Sequence, residues 1–130
     1  MPIRLQHEAA KLHELSGATC SMFCAIENAE TGFVGPLYLK ADNRWHRFYL
    51  DAGLLFWEEG PEPDPVEDLL EGERYVDLGV VLGVTGQRLA DVEMSNSQLR
   101  IEFREGARLL LEHGPRDQGT RVVERTRGKT

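Results

Sequence analysis

Residues 35–57 read GPLYLKADNRWHRFYLDAGLLFW, and their spacing decides the fold class. Gly35-Pro36 breaks the chain. Leu37 to Lys40 makes a short strand, Asp42-Asn43 supplies a turn, and Arg44 to Leu50 forms the next strand. Asp51-Ala52-Gly53 turns the chain again, and Leu54 to Glu58 returns it. Two strands joined by a tight Asp/Gly turn are the signal of a β-hairpin.

The same grammar continues downstream. Ala90, Val92 and Met94 alternate with Asp91 and Glu93, and Ser95-Asn96-Ser97 turns the chain. Leu99, Ile101 and Phe103 then share one face against Arg100, Glu102 and Arg104, the period-two pattern of a half-buried strand. Glu105-Gly106 leads into a return strand over 107–112. The stretch 47–60 echoes 100–114. Either a hairpin was duplicated or two ordinary hairpins share common turn chemistry. Residues 74–84, RYVDLGVVLGV, read as a β-branched strand run broken by Gly79 and Gly83.

Two segments carry a helical period. Leu5, Ala9 and Leu12 fall on one face of residues 4–15, with Gly17 just beyond. After GPEPDP, whose prolines bar a central strand, Asp64 fits an N-cap, Pro65 the first helical position and Glu67 the third. That helix runs to about Glu71, with Val66, Leu69 and Leu70 as its apolar side. The expected fold is therefore α+β, mostly antiparallel β-hairpins with an N-terminal helix and a short central helix. The 130 residues form one domain, frayed from about 115 to 130, where only Arg121–Glu124 has the pattern of an edge strand.

The N-terminus lacks the apolar core of a signal peptide, and no apolar run approaches the ~20 residues of a membrane span. A cytoplasmic location is expected. Cys20 and Cys24 alternate with Ala18, Met22 and Ile26, which points both thiols to the core. Four strand residues separate them by ~13 Å, beyond disulfide reach. His7, His13, Cys20 and Cys24 have zinc-type ligands but H-x5-H and C-x3-C spacing, which departs from structural zinc sites. No metal and no cofactor is expected.

Neither a nucleophile elbow nor a phosphate-binding glycine loop occurs. The pairs Glu58-Glu59 and Glu67-Asp68 sit in a solvated stretch where desolvation cannot tune them for acid–base work. His46, beside Trp45, reads as a solvent-facing strand residue. These readings point away from an enzyme.

Charge is the informative feature. The chain carries a net charge of -7, and residues 58–77 hold nine carboxylates against Arg74 alone. The balance repels nucleic acid and anionic membranes and attracts a basic protein. Glu58, Glu59, Glu67, Asp68 and Glu71 are the candidate partner-binding acids; a solvated face that merely keeps the protein soluble is the competing reading. Trp45 and Tyr49 join the candidates because Trp, Tyr and Arg are common interface anchors, with burial in the core as the alternative.

Two partial resemblances bear on function. Residues 35–57, with a Gly-x-Leu start, Lys40 and Trp45-x-Arg47-Phe48-x-Leu50, resemble the opening strands of a pleckstrin-homology domain. That likeness implies an adaptor binding phosphoinositide or protein, with Lys40, Arg44 and Arg47 at the positions that hold the headgroup. Residues 83–113, GVTGQRLADVEMSNSQLRIEFREGARLLLEHG, resemble small bacterial immunity-type β domains. That likeness implies a non-catalytic protein-binding module that occludes a toxin. A structural subunit is a third reading.

Overall fold

Asp42 and Asn43 both adopt left-handed backbone, with φ of 48° and 68°. Two successive residues of positive φ make the hairpin turn whose twist matches paired strands. Ala41 accordingly sits opposite Arg44. The Asp42 carboxylate accepts from the Thr19 amide at 2.9 Å and fixes the turn to the neighbouring chain.

The structure is a computed structural model that describes residues 3–6, 9–11, 15–51, 54–60, 62–95, 98–113 and 119–127. Its strands are β1 (Ile3–Gln6), β2 (Ala9–Lys11), β3 (Cys20–Asn28), β4 (Val34–Ala41), β5 (Arg44–Asp51), β6 (Leu54–Glu59), β7 (Glu73–Asp77), β8 (Leu89–Ser95), β9 (Gln98–Phe103), β10 (Arg108–His113) and β11 (Thr120–Thr126). A 3-10 turn spans Val66–Asp68, and helix α1 spans Leu78–Leu82. The strands form one curled antiparallel sheet in the order β1-β6-β5-β4-β11-β10-β9-β8-β2, with β3 on β4 and β7 on β3.

Three features curl the sheet. The β4–β5 pairing ends at Leu37 and Phe48, one residue short of Pro36, which has no amide to donate. Beyond it β11 joins β4, through Thr120 opposite Val34. The chain entering β3 bonds to the start of β8: Cys20 donates to Gln87 at 2.8 Å and Leu89 to Ala18 at 2.9 Å. Finally, β1 lies on β6 and β2 on β8, so one N-terminal segment joins both halves.

The concave side holds the core. Phe23, Leu37, Leu39, Phe48, Trp57, Leu89, Leu99, Ile101 and Leu109 are buried there. On β9 the expected alternation holds: Leu99, Ile101 and Phe103 are buried, and the residues between them are half-exposed.

The α+β expectation is overturned, because the described residues are mostly β, with one short α-helix among them. Of residues 4–15, 4–6 lie in β1 and 9–11 in β2 rather than in a helix, and 7, 8 and 12–14, Leu12 included, lie outside the described residues. A twelve-residue helix is marginal alone, while the edges of β6 and β8 offer hydrogen bonds along their length. The central helix is only the 3-10 turn, flanked by Pro65 with no side-chain cap. Of its intended apolar side only Leu69 is half-buried, while Val66 is 69% and Leu70 73% exposed.

The helix that does form, α1, lies in the run read as strand. Asp77 caps it by accepting from the Val80 amide at 3.1 Å, and Gly83 ends it at φ 67°. Burial of Leu78 and Leu82 outweighs the β preference of Val80 and Val81. The C-terminal segment builds more strand than expected: β11 runs from Thr120 through Thr126 along β10.

Candidate protein-binding surface

The convex face of β3–β7 carries Met22, Cys24, Tyr38, Lys40, Trp45, Arg47, Tyr49, Glu58 and Tyr75, set side by side by the strand registers. Tyr38 is only 2% exposed although it points outward. The loop between β6 and β7 comes near it at Asp64, whose charge acts on the Tyr38 hydroxyl. Tyr75 Oη donates to the Asp64 carbonyl at 2.6 Å and ties that loop down. Burial raises the Tyr38 hydroxyl above its ordinary range, and the facing Arg47 guanidinium partly opposes this. Burial also raises Tyr75. Both phenols therefore remain neutral hydrogen-bonding groups at physiological pH.

A second tie closes the far end of the loop. The Leu70 amide donates to Glu73 Oε1 at 2.9 Å, and the Glu73 amide donates to the Leu70 carbonyl at 3.0 Å. The loop presents Glu62 ahead of the first tie and Glu67, Asp68 and Glu71 beyond it to solvent, with Val66 and Leu70 among them. Among the described residues, no ion pair or hydrogen bond engages the carboxylates of Glu67, Asp68 and Glu71.

The structure thus divides the acids singled out from sequence. Glu67, Asp68 and Glu71 are grouped on the loop. Glu58 and Glu59 lie on the sheet, their side chains 15% and 17% exposed, with Glu58 paired to Arg47 and Glu59 to Arg44 at 3.2 Å. Trp45, Arg47 and Tyr49 share the outer face. Tyr49 stacks on Phe56 with ring centroids 4.8 Å apart, and Lys40 Nζ lies 5.7 Å from the Trp45 ring centre. Phe48 and Trp57 turn inward to the core. The basic trio Lys40, Arg44 and Arg47 thus has two of its charges matched by carboxylates within the chain.

Cys20 is buried as expected, but Cys24 is not a core thiol. A bulge between Cys20 and Met22 shifts the alternation by one residue, so Phe23 and Ala25 turn inward while Met22 and Cys24 face outward. Burial first, and the nearby Asp77 carboxylate second, push the Cys20 thiol up to about 12 and Cys24 up to about 11. Such thiols are poor nucleophiles at neutral pH. His7 and His13 lie outside the described residues, and among those described no three His, Cys, Asp or Glu side chains cluster as a metal site.

His46 is a second correction: it is 5% exposed and faces inward. Its Nδ1 accepts from Trp57 Nε1 at 3.1 Å, beside a cavity of about 340 Å³ lined also by Asp42, Arg44 and Glu59. The register of β5 accounts for it, because His46, Phe48 and Leu50 share the inner face. Among the described residues that line the cavity, none carries a hydroxyl or thiol.

The far half of the sheet carries a different convex face. Arg100 meets Asp91 at 3.4 Å, Glu93 at 3.2 Å and Glu102 at 3.0 Å. Arg108 reaches Glu102 and Glu124, each at 3.8 Å. Here two arginines are shared among four carboxylates, whereas among the described residues the acids Glu67, Asp68 and Glu71 of the loop meet no cation. Among the described residues, no helix is long and apolar enough to cross a membrane. Comparison of the chain with protein-family models, curated proteins and solved structures finds no match.

Proposed function

We propose that the protein is a non-catalytic binding module, acting in the cytoplasm, that holds a basic protein partner against loop 60–72 in the manner of a toxin-neutralising immunity protein. One observation carries this reading. The loop is tied at Asp64 and at Leu70 yet displays two large apolar side chains, Val66 and Leu70, among the carboxylates of Glu67, Asp68 and Glu71, which form no ion pair among the described residues. A purely solubilising loop has no use for exposed Val and Leu. At an interface each supplies about 1.5–3 kcal/mol when fully covered. The surrounding acids steer a basic partner into place and favour it over acidic competitors.

The test is the triple variant Glu67→Lys, Asp68→Lys, Glu71→Lys, used as bait beside the wild type in the native cell. Surface charges contribute little to folding, so the variant keeps its thermal midpoint. Association with the recovered partner slows about tenfold or more, and the wild-type rate falls steeply with salt. If both baits recover the same partners in the same amounts, the loop is a solubility feature and the reading fails.

A further inference from the structure

Strand β7 pairs with β3 and, among the described residues, with no other strand. Its register fixes which backbone groups are left over. Ala29 donates to Gly72 at 2.8 Å in line with the β3–β7 pairing, so Arg74 and Val76 are the residues that bond to β3. In an antiparallel ladder the alternate residues point their amides and carbonyls the other way. These are Glu73, Tyr75 and Asp77. The Glu73 amide is taken by Leu70, and the Asp77 carbonyl begins α1. Among the described residues, the Glu73 carbonyl, both Tyr75 groups and the Asp77 amide remain along an edge about 17 Å long.

Natural sheets blunt such edges with short strands, charged side chains, proline, a bulge or a covering loop. β7 contains no proline, no lysine and no bulge. Its outward side chains are Glu73, Tyr75 and Asp77, an acid–aromatic–acid row. That row selects against a second copy of this chain: antiparallel pairing about Tyr75 would set Glu73 of one copy against Asp77 of the other, twice over. Like charges directly opposite destabilise a ladder, and opposite charges support it. The row continues into exposed Leu70 before the strand and exposed Val80 after it. Beside it runs a groove of about 430 Å³ lined by Met22, Cys24, Tyr75 and Thr85, among others.

We infer that β7 is a strand-addition edge that receives an extended segment of the basic partner with the pattern basic–x–apolar–x–basic. The apolar residue lies opposite Tyr75 over the groove, and the two basic residues lie opposite Glu73 and Asp77. Four backbone hydrogen bonds form, two of them with Tyr75. The inference rests on the partner-binding reading above and names the mode by which that partner is gripped.

The probe is a capped nine-residue peptide centred on Lys-Thr-Val-Thr-Lys, titrated into the full-length 15N-labelled protein. Two controls accompany it: the same peptide with both lysines replaced by glutamate, and one N-methylated at the valine, which removes the donor to the Tyr75 carbonyl. The lysine peptide is expected to shift the Tyr75 and Asp77 amides in a saturable manner, and each control to bind at least tenfold more weakly. The variant Glu73→Gln, Asp77→Asn keeps the acceptors for the Leu70 and Val80 amides but loses both charges. It should retain the wild-type spectrum and bind the lysine peptide at least tenfold more weakly. Unmoved Tyr75 and Asp77 amides, or equal binding by all three peptides, overturns the inference. If the loop reversal abolishes partner capture while the peptide leaves β7 untouched, strand addition is wrong and the binding module stands. If the peptide adds to β7 while the loop reversal changes nothing, strand addition stands and the loop reading falls.

Discussion

Replacing Asp77 by alanine removes the side-chain acceptor that closes the first turn of α1. The Asp77–Val80 hydrogen bond is 3.1 Å long, and loss of such a cap costs about 0.5–2 kcal/mol. The outcome depends on whether the five-residue helix survives. Unravelling it would expose Leu78 and Leu82, now 2% and 0% exposed, at about 1.5–3 kcal/mol each. That exceeds the cap energy, so the helix stays in place and the penalty remains local. Val80 is 66% exposed, so water can solvate its freed amide and the cost falls near 1 kcal/mol. For a chain of this size that lowers the thermal midpoint by about 3–5 °C. Asparagine still offers a side-chain oxygen, so Asp77→Asn should lie within a few tenths of a kcal/mol of wild type. Urea unfolding of the three proteins provides the measurement. A loss above about 3 kcal/mol for the alanine variant, or equal losses for both, would refute the reasoning.

The thiols predict alkaline sensitivity. With Cys20 raised to about 12 and Cys24 to about 11 from 9.0, the unfolded chain loses its thiol protons first, so stability declines as pH rises past 9. Urea midpoints at pH 8 and pH 10 should show the fall in wild type and a smaller one in Cys24→Ala. Gly119 has φ +94°, and an added Cβ would lie 2.8 Å from the Phe33 ring, whereas Gly106 has φ +97° with open space around it. Gly119→Ala should therefore cost more than Gly106→Ala, which carries only the backbone strain of about 1 kcal/mol; equal midpoint shifts would contradict the steric argument. Leu70→Ser should leave the thermal midpoint within about 1–2 °C while weakening partner association severalfold, as read by surface-immobilised binding.

The hairpins were legible because both of their signals are local. Alternation at Leu99, Ile101 and Phe103 and the Asp42-Asn43 turn each report a geometry set by a few neighbouring residues. The N-terminal strands were not legible, since Leu5, Ala9 and Leu12 suit a helix and what overrides it lies on the distant edges of β6 and β8. A single bulge displaced Cys24, because a period of two has no memory past one inserted residue. Helix α1 had a readable signature, Asp77 as cap and Gly83 as stop, but Val80 and Val81 pointed to strand. The acidity of loop 60–72 was plain from composition. Its apolar content was visible too, yet it read as a helix face seeking the core. Only the fold shows that Val66 and Leu70 stay exposed, and that Glu58 and Glu59 answer arginines on β5.

The segment joining the two halves of the sheet has a kinetic consequence. Ile3 pairs with Glu58 and Ala9 with Ser95, so both contacts close very long stretches of chain. Loop-closure entropy puts such contacts late, after the local hairpins of β4–β5 and β9–β10 have formed. Until then β6 and β8 each keep an open edge. Refolding should therefore pass through a window in which dilution and low temperature protect the chain from self-association, and N-terminal truncation should prolong that window rather than abolish the hairpins.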